Sequence, residues 1–213
     1  MAVDNKFNKK VFFEKSFIFL LEVNLNNTNM DKKVFSPRLW FVITVVFAGA
    51  AMRLIPHWPN FTPVAAIALF GGAYLGKKYL AFLLPLAAMF ISDIILGFHS
   101  TMPAVYISFV ITVALGLLIA RNPKIFNIFG ASIASTVLFF LITNFAAWLG
   151  NPLYPQNFAG LIESYIAGLV FFNNGTFGIS FFMNSLLGDL FYNGLFFCLF
   201  YFARLRFRVL ARA

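Results

Sequence analysis

The chain alternates long apolar runs with short polar links, and this pattern predicts six membrane-spanning helices. We place them at residues 38–55, 61–76, 79–98, 103–120, 125–149 and 178–203. A helix needs about 20 apolar residues to cross the hydrocarbon core of a bilayer, with a range of about 17–25. The second run is slightly short, which suits a helix that starts at the bend set by Pro63. The predicted fold class is all-α, a polytopic membrane protein.

Composition supports this interpretation and excludes a water-soluble protein. Of the 213 residues, 61% are hydrophobic and 11% are charged, and the mean hydropathy is +0.85. Soluble domains carry about 25% charged residues. Only three acidic residues follow residue 32, namely Asp93, Glu163 and Asp189. The net charge of +9 could also indicate nucleic-acid binding, but the basic residues cluster at the ends of the apolar runs, as in membrane proteins.

The positions of lysine and arginine predict the orientation of the spans, because short cytoplasmic loops carry an excess of both residues. Fifteen of the sixteen basic residues lie before span one, between spans two and three, between spans four and five, or after span six. Arg53 alone falls on the other side. Both termini are therefore predicted to be cytoplasmic, and the links at 53–62, 99–102 and 150–177 to face outward. We expect a multi-pass protein of the bacterial cytoplasmic (inner) membrane.

The sequence divides into an N-terminal extension at residues 1–33 and a six-helix membrane domain at residues 34–213. The extension carries several lysines and an asparagine-rich run, and its apolar piece is too short to span a bilayer. We expect residues 1–29 to be disordered, or to precede a true start at Met30.

Two outward links carry distinctive patterns. The link at Arg53–Pro63 holds three prolines, which fix φ and remove backbone donors, so it is not predicted to continue a helix. The link at 150–177 carries no basic residue and contains an apolar stripe that predicts an interfacial helix. The stripe consists of Leu161, Ile162, Tyr165, Ile166 and Leu169.

Polar side chains within and beside the spans concentrate in the predicted outer half. Such residues are unfavourable in a bilayer and usually mark a site or pathway. This asymmetry predicts a cavity that is open to the outside and closed to the cytoplasm. The candidate substrate-binding residues are Arg53, His57, Trp58, Asn60, Asp93, His99, Tyr106, Asn144, Trp148, Asn184 and Asp189.

Several of these residues have a structural alternative. Asp93 could pair with Arg53 as an ion pair that holds two spans together, and Asp189 could accept hydrogen bonds within its own helix. Tryptophans at interface depth commonly anchor a protein in the membrane. The two histidines are not spaced as a helical metal pair, so no metal site and no cofactor are predicted. Cys198 lies in an apolar run and is interpreted as a small buried hydrophobe.

Small residues recur in the first two spans and let helices approach closely. Packing within the bundle is one interpretation. The other is a docking surface for a membrane partner, which a cavity closed on its inner side would need in order to release its contents. The candidate docking residues are Ala48, Ala51, Ala68, Gly72 and Gly76.

Three segments carry a resemblance to known proteins: 53–63 (RLIPHWPNFTP), 65–73 (AAIALFGGA) and 85–99 (PLAAMFISDIILGFH). They resemble an uncharacterised family of bacterial membrane proteins classed as transport proteins, which is similar to the substrate-binding S components of energy-coupling factor (ECF) vitamin transporters. The resemblance implies capture of a vitamin or cofactor precursor from outside, with the 53–62 link as a lid. It also implies a membrane coupling protein and two ATPase subunits as partners.

Three functions remain open on the sequence alone. The first is a solute-binding subunit of an importer; the chain has no Walker motif, so ATP hydrolysis would come from a partner. The second is an intramembrane enzyme that uses Asp93 or Asp189 as a base, although no known catalytic motif supports it. The third is a ligand-free membrane scaffold. We favour the first, so the protein is not predicted to be an enzyme.

Overall fold

A computed structural model describes residues 36–170 and 180–210, and these residues form seven α-helices and a short 3-10 helix. The α-helices are α1 (Pro37–Met52), α2 (Val64–Tyr74), α3 (Lys78–Leu96), α4 (Met102–Ile119), α5 (Ile125–Trp148), α6 (Phe158–Val170) and α7 (Phe181–Arg206). The 3-10 helix follows at Arg208–Leu210. No strand occurs in these two ranges. The predicted N-terminal extension lies outside the described residues.

Each of the six predicted spans contains a helix, and the all-α prediction holds for the described residues. Four helices, α3, α4, α5 and α7, are long and apolar enough to cross a membrane, as expected for a helical membrane protein. The other two are shorter than predicted, with 16 residues in α1 and 11 in α2. The prolines explain the difference, because α1 ends ahead of Pro56 and α2 cannot begin before Pro63. The six-span count and the orientation of the termini stay predictions.

The short helix α2 lies at the centre of the fold. Every residue from Ala65 to Ala73 is buried, and α2 contacts α1, α3, α4, α5 and α7. Its glycines permit the closest of these approaches. A Cβ on Gly72 would lie 2.9 Å from the Cα of Gly116 on α4, so the two backbones touch at this crossing. Helix α2 therefore sets the spacing of its neighbours.

This packing divides the candidate docking residues into two groups. Ala68 and Gly72 are buried inside the fold and pack within the chain, as one interpretation of the small-residue pattern expects. Ala48, Ala51 and Gly76 are exposed on the fold's surface. Only these three are placed where a partner could contact them.

The α2–α4 crossing gives a direct stability prediction. Gly116→Ala would place its methyl group 2.9 Å from the Cα of Gly72 and 3.1 Å from the backbone nitrogen of Ala73, so the helices must separate. We expect a loss of about 1–3 kcal/mol, the usual range for overpacking, measured as a lower melting temperature of the purified protein in detergent. The control is Gly130→Ala on α5, where a methyl group meets nothing within 4 Å. That change should be neutral or stabilising, and equal melting temperatures for the two variants would contradict the prediction.

Candidate functional site

The link between α1 and α2 runs across the end of α7 and is anchored there. The side-chain amide of Asn184 donates a hydrogen bond to the carbonyl of Pro59 at 2.9 Å. The ring of Phe61 packs against the rings of Phe191 and Tyr192, with centroids 5.8 and 5.6 Å apart. Asn60 between these anchors adopts a φ of 63°, a left-handed conformation that asparagine tolerates better than most residues. The sharp turn at Asn60 is therefore held on both sides.

An ion-pair cluster joins the end of α1 to α3 and α4. Nη1 of Arg53 lies 2.8 Å from Oδ1 of Asp93 and also donates to the hydroxyl of Ser92. The hydroxyl of Tyr106 donates to Oδ2 of Asp93 at 2.8 Å. The side chains of Arg53 and Asp93 are only 12% and 4% exposed. Both carboxylate oxygens of Asp93 are thus engaged by protein groups, and the ion-pair alternative raised by the sequence is what the structure shows.

A cavity of about 260 Å³ lies among α5, α6 and α7, and the α1–α2 link and the segment between α5 and α6 complete its wall. We call it the α5–α6–α7 cavity. Its wall combines aromatic rings with uncharged hydrogen-bonding groups, and none of the described residues that line it is charged. The polar lining residues are Asn60, Thr143, Asn144, Trp148, Asn151, Tyr154, Ser164 and Ser185. Phe139, Phe140, Phe181 and Phe182 supply most of the apolar wall. This composition suits a solute with a flat ring and several hydrogen-bonding groups.

The segment between α5 and α6 is tied into a compact turn that forms one wall of the cavity. The Gln156 side chain makes most of the bonds: its amide nitrogen donates to the carbonyls of Trp148, Asn151 and Tyr154 at 3.0–3.2 Å. Its amide oxygen accepts from the backbone nitrogen of Gly150 at 3.0 Å. The indole nitrogen of Trp148 donates to the carbonyl of Pro155 at 3.0 Å. These bonds fix Trp148 and Tyr154 at the cavity.

Helix α6 packs against the rest of the fold through its small residues and through Tyr165, one member of its apolar stripe. Gly160 and Ser164 are its buried residues, and Gly168 lies against the side chain of Asn144. The predicted stripe contributes Ile162 and Ile166 to the exposed surface. A helix does form where the sequence predicted one, and the hydroxyl of Tyr165 ties it to α5 by donating to the carbonyl of Leu141 at 3.0 Å.

A buried polar network connects α5 and α7, and we call it the α5–α7 network. Thr136 Oγ1 donates to Oδ2 of Asp189 at 2.5 Å, and the side-chain amide of Asn193 donates to Oγ of Ser132 at 2.9 Å. The hydrogen-bond partner of Asp189 is therefore a residue of α5, and not one on its own helix as one alternative expected. All four side chains are buried.

The eleven candidate site residues thus fall into separate groups. Asn60, Asn144 and Trp148 line the α5–α6–α7 cavity. Arg53, Asp93 and Tyr106 form the ion-pair cluster, Asn184 anchors the link, and Asp189 belongs to the α5–α7 network. His57, Trp58 and His99 are exposed, and Nδ1 of His57 lies 2.6 Å from the carbonyl of Ile55. Within 36–170 and 180–210, no group of three His, Cys, Asp or Glu residues could hold a metal ion.

Sequence reasoning missed several polar residues of the cavity wall. Thr143, Asn151, Tyr154, Ser164 and Ser185 were not among the candidates, and neither was Gln156 that ties the turn. A usable signal was present in Asn151 to Asn157, where four amide or phenol side chains lie among two prolines. Such a composition is typical of a turn held by side-chain hydrogen bonds to the backbone.

Comparison with known proteins gives one match. The family described as "Family of unknown function (DUF6580)" matches residues 33–210. No curated protein and no solved structure matches the chain. The matched residues include all seven helices, the ion-pair cluster, the cavity and the α5–α7 network. The chain therefore belongs to the family of unknown function DUF6580.

Proposed function

We propose that this protein is a membrane-embedded, solute-binding subunit that captures a small molecule in the α5–α6–α7 cavity. The observation that carries the proposal is the wall of that cavity, in which aromatic rings and uncharged amide and hydroxyl groups surround about 260 Å³. Ligand sites are typically apolar cavities with a few convergent polar groups. The volume lies near the lower end for such sites, so the solute is compact.

The proposed orientation places this cavity at the outer surface of a bacterial cytoplasmic membrane. In a six-span arrangement with cytoplasmic termini, the end of α5, the start of α7 and the 53–62 link all face outward. Asn60 brings this link to the cavity wall, and the bond from Asn184 to Pro59 holds it there. These contacts support a role for the link as a cover of the cavity.

A partner is part of the proposal, because capture alone does not move a solute across a membrane. The resemblance to ECF S components supports a membrane coupling protein with two ATPase subunits. The exposed small residues Ala48 and Ala51 on α1 provide a place where another helix could approach closely. The captured molecule would be a vitamin or cofactor precursor.

The test is a gentle affinity purification from native membranes, followed by mass spectrometry of proteins and small molecules. We expect one compact ring compound in near-equimolar amount, together with a coupling membrane protein and two ATPases. Recovery of the solute without partners would support solute capture and would contradict an ECF-type assembly. Recovery of the chain with lipid alone, in several detergents, would contradict the proposed function.

A further inference from the structure

The α5–α7 network contains more acceptors than its donors satisfy. Thr136 Oγ1 donates to Asp189 and also lies 3.1 Å from the carbonyl of Ser132. Ser135 donates to the same carbonyl at 2.8 Å. Asp189 and Asn193 are four residues apart, so they share one face of α7 and meet this part of α5 together. They are 6% and 2% exposed, which places both side chains in the interior of the fold.

Two observations in this network call for a positive group. The side-chain oxygen of Asn193 is buried and has no hydrogen-bond partner. The carboxylate of Asp189 has no ion pair among the described residues, whose one salt bridge joins Arg53 to Asp93. Buried polar atoms are almost always satisfied, and a buried charge normally has a counter-charge. A single cation would satisfy both groups at once.

We infer that Asp189, the amide oxygen of Asn193 and the hydroxyl oxygens of Ser132 and Thr136 bind a single alkali-metal cation. Carboxylate, amide and hydroxyl oxygens are the ligands that hard cations take in proteins. One carboxylate balances one positive charge. A divalent ion would leave a net charge in a low-dielectric interior, which is strongly unfavourable. Sodium and potassium share this chemistry, and the test separates them.

The network is close to the α5–α6–α7 cavity along both helices. Ser185 lines the cavity, and Asp189 lies four residues further along α7. On the facing helix, Phe139 and Phe140 line the cavity, and Thr136 lies about one turn before them. One turn of an α-helix rises about 5.4 Å. The cation site thus lies about one helical turn from residues that line the cavity, on both α5 and α7.

This inference goes beyond solute capture, since a cavity of uncharged groups requires no ion. If both ligands bind, their proximity makes the two affinities depend on each other, and the dependence is reciprocal. The cation site can nevertheless be tested alone, because ion binding is measured without any solute. Its failure would leave the proposed function untouched, and failure of solute capture would leave the cation site untouched.

The first experiment measures the melting temperature of the purified full-length protein in detergent at constant ionic strength. The salts are 100 mM choline chloride, NaCl or KCl, in buffers otherwise free of alkali ions. A ligand that binds only the folded state raises its stability, so we expect a rise of about 3 °C or more in one alkali salt over choline. The salt with the larger effect identifies the ion. Equal melting temperatures in all three salts would overturn the inference.

Substitutions in the network test whether the stabilising ion binds there. Asp189→Asn should abolish the difference between the alkali salt and choline, and Asn193→Ala should raise the half-saturating ion concentration at least about tenfold. The control is Glu163→Gln, which neutralises an exposed acid on α6 outside the network and should keep the ion response of the wild type. An ion response that survives in both Asp189→Asn and Asn193→Ala would overturn the site. If Asp189→Asn does not fold, the salt titrations of the wild type and of Asn193→Ala still test whether the ion binds at this network.

Discussion

Replacing Asp93 by leucine is expected to lower the free energy of unfolding by about 3–5 kcal/mol, the range found when one partner of a buried ion pair is removed. The variant leaves the guanidinium of Arg53, only 12% exposed, without its counter-charge. It also leaves the hydroxyl of Tyr106 without the acceptor that it contacts at 2.8 Å. Because Arg53 directly follows α1 and the other two groups belong to α3 and α4, the loss should weaken the contacts among three helices. Reversible unfolding of the purified protein in mixed detergent measures it.

A double-mutant cycle separates the ion pair from its surroundings. Arg53→Met alone should lower the free energy of unfolding about as much as Asp93→Leu, because it leaves the buried carboxylate of Asp93 without its counter-charge. The double variant removes both charges, and replacement of a buried pair by apolar residues is often neutral. We expect it to recover most of the lost stability. Tyr106→Phe is the milder control, with an expected loss of about 1–3 kcal/mol for one hydrogen bond to a charged group.

The same cycle tests whether the ion-pair cluster contacts solute. If the double variant folds and keeps the co-purifying small molecule, Arg53 and Asp93 act on structure alone. If it folds and loses that molecule, the two charges take part in binding. Single variants that are as stable as the wild type would contradict a structural role for the pair.

The positions of the helices could be predicted from the sequence because a bilayer imposes a simple rule on them. A spanning segment must be apolar over about 20 residues, and prolines mark where a helix cannot continue. The Arg53–Asp93 pair could also be predicted from the sequence, because both residues were placed in the outer half and are opposite in charge. Depth and charge sign are properties that a single chain reveals.

The grouping of the polar residues could not be predicted in the same way. Depth does not tell which helices are neighbours, so residues at one level were interpreted as one site. The structure divides them among the ion-pair cluster, the α5–α6–α7 cavity, the Asn184 anchor and the α5–α7 network, and leaves three exposed. The stripe on α6 predicted an interfacial helix, and a helix forms there with Ile162 and Ile166 exposed. The buried face of α6 consists of Gly160 and Ser164, whose small size gives no hydrophobic signal.

Filling the cavity should abolish solute capture without unfolding the protein. Ala167 lies on α6 and lines the cavity, so Ala167→Trp would place an indole ring in the roughly 260 Å³ between α5, α6 and α7. The aromatic wall of Phe140 and Phe182, whose rings are 5.0 Å apart, leaves little room for the solute beside it. We expect the fraction of protein that carries the co-purifying small molecule to fall at least about tenfold, which corresponds to about 1.4 kcal/mol of binding free energy or more.

The control is Ala159→Trp, which makes the same change on the same helix at an exposed position outside the cavity wall. It should keep the wild-type occupancy, measured by native mass spectrometry of both variants prepared in parallel. Thr143→Val adds a smaller test, because it removes one hydroxyl from the cavity wall and nearly preserves the shape. A folded Ala167→Trp protein with the same occupancy as Ala159→Trp would show that the small molecule binds elsewhere, since an indole and a solute cannot share this volume. Occupancy lost equally in both variants would point to α6 as a structural element and away from the cavity as the binding site.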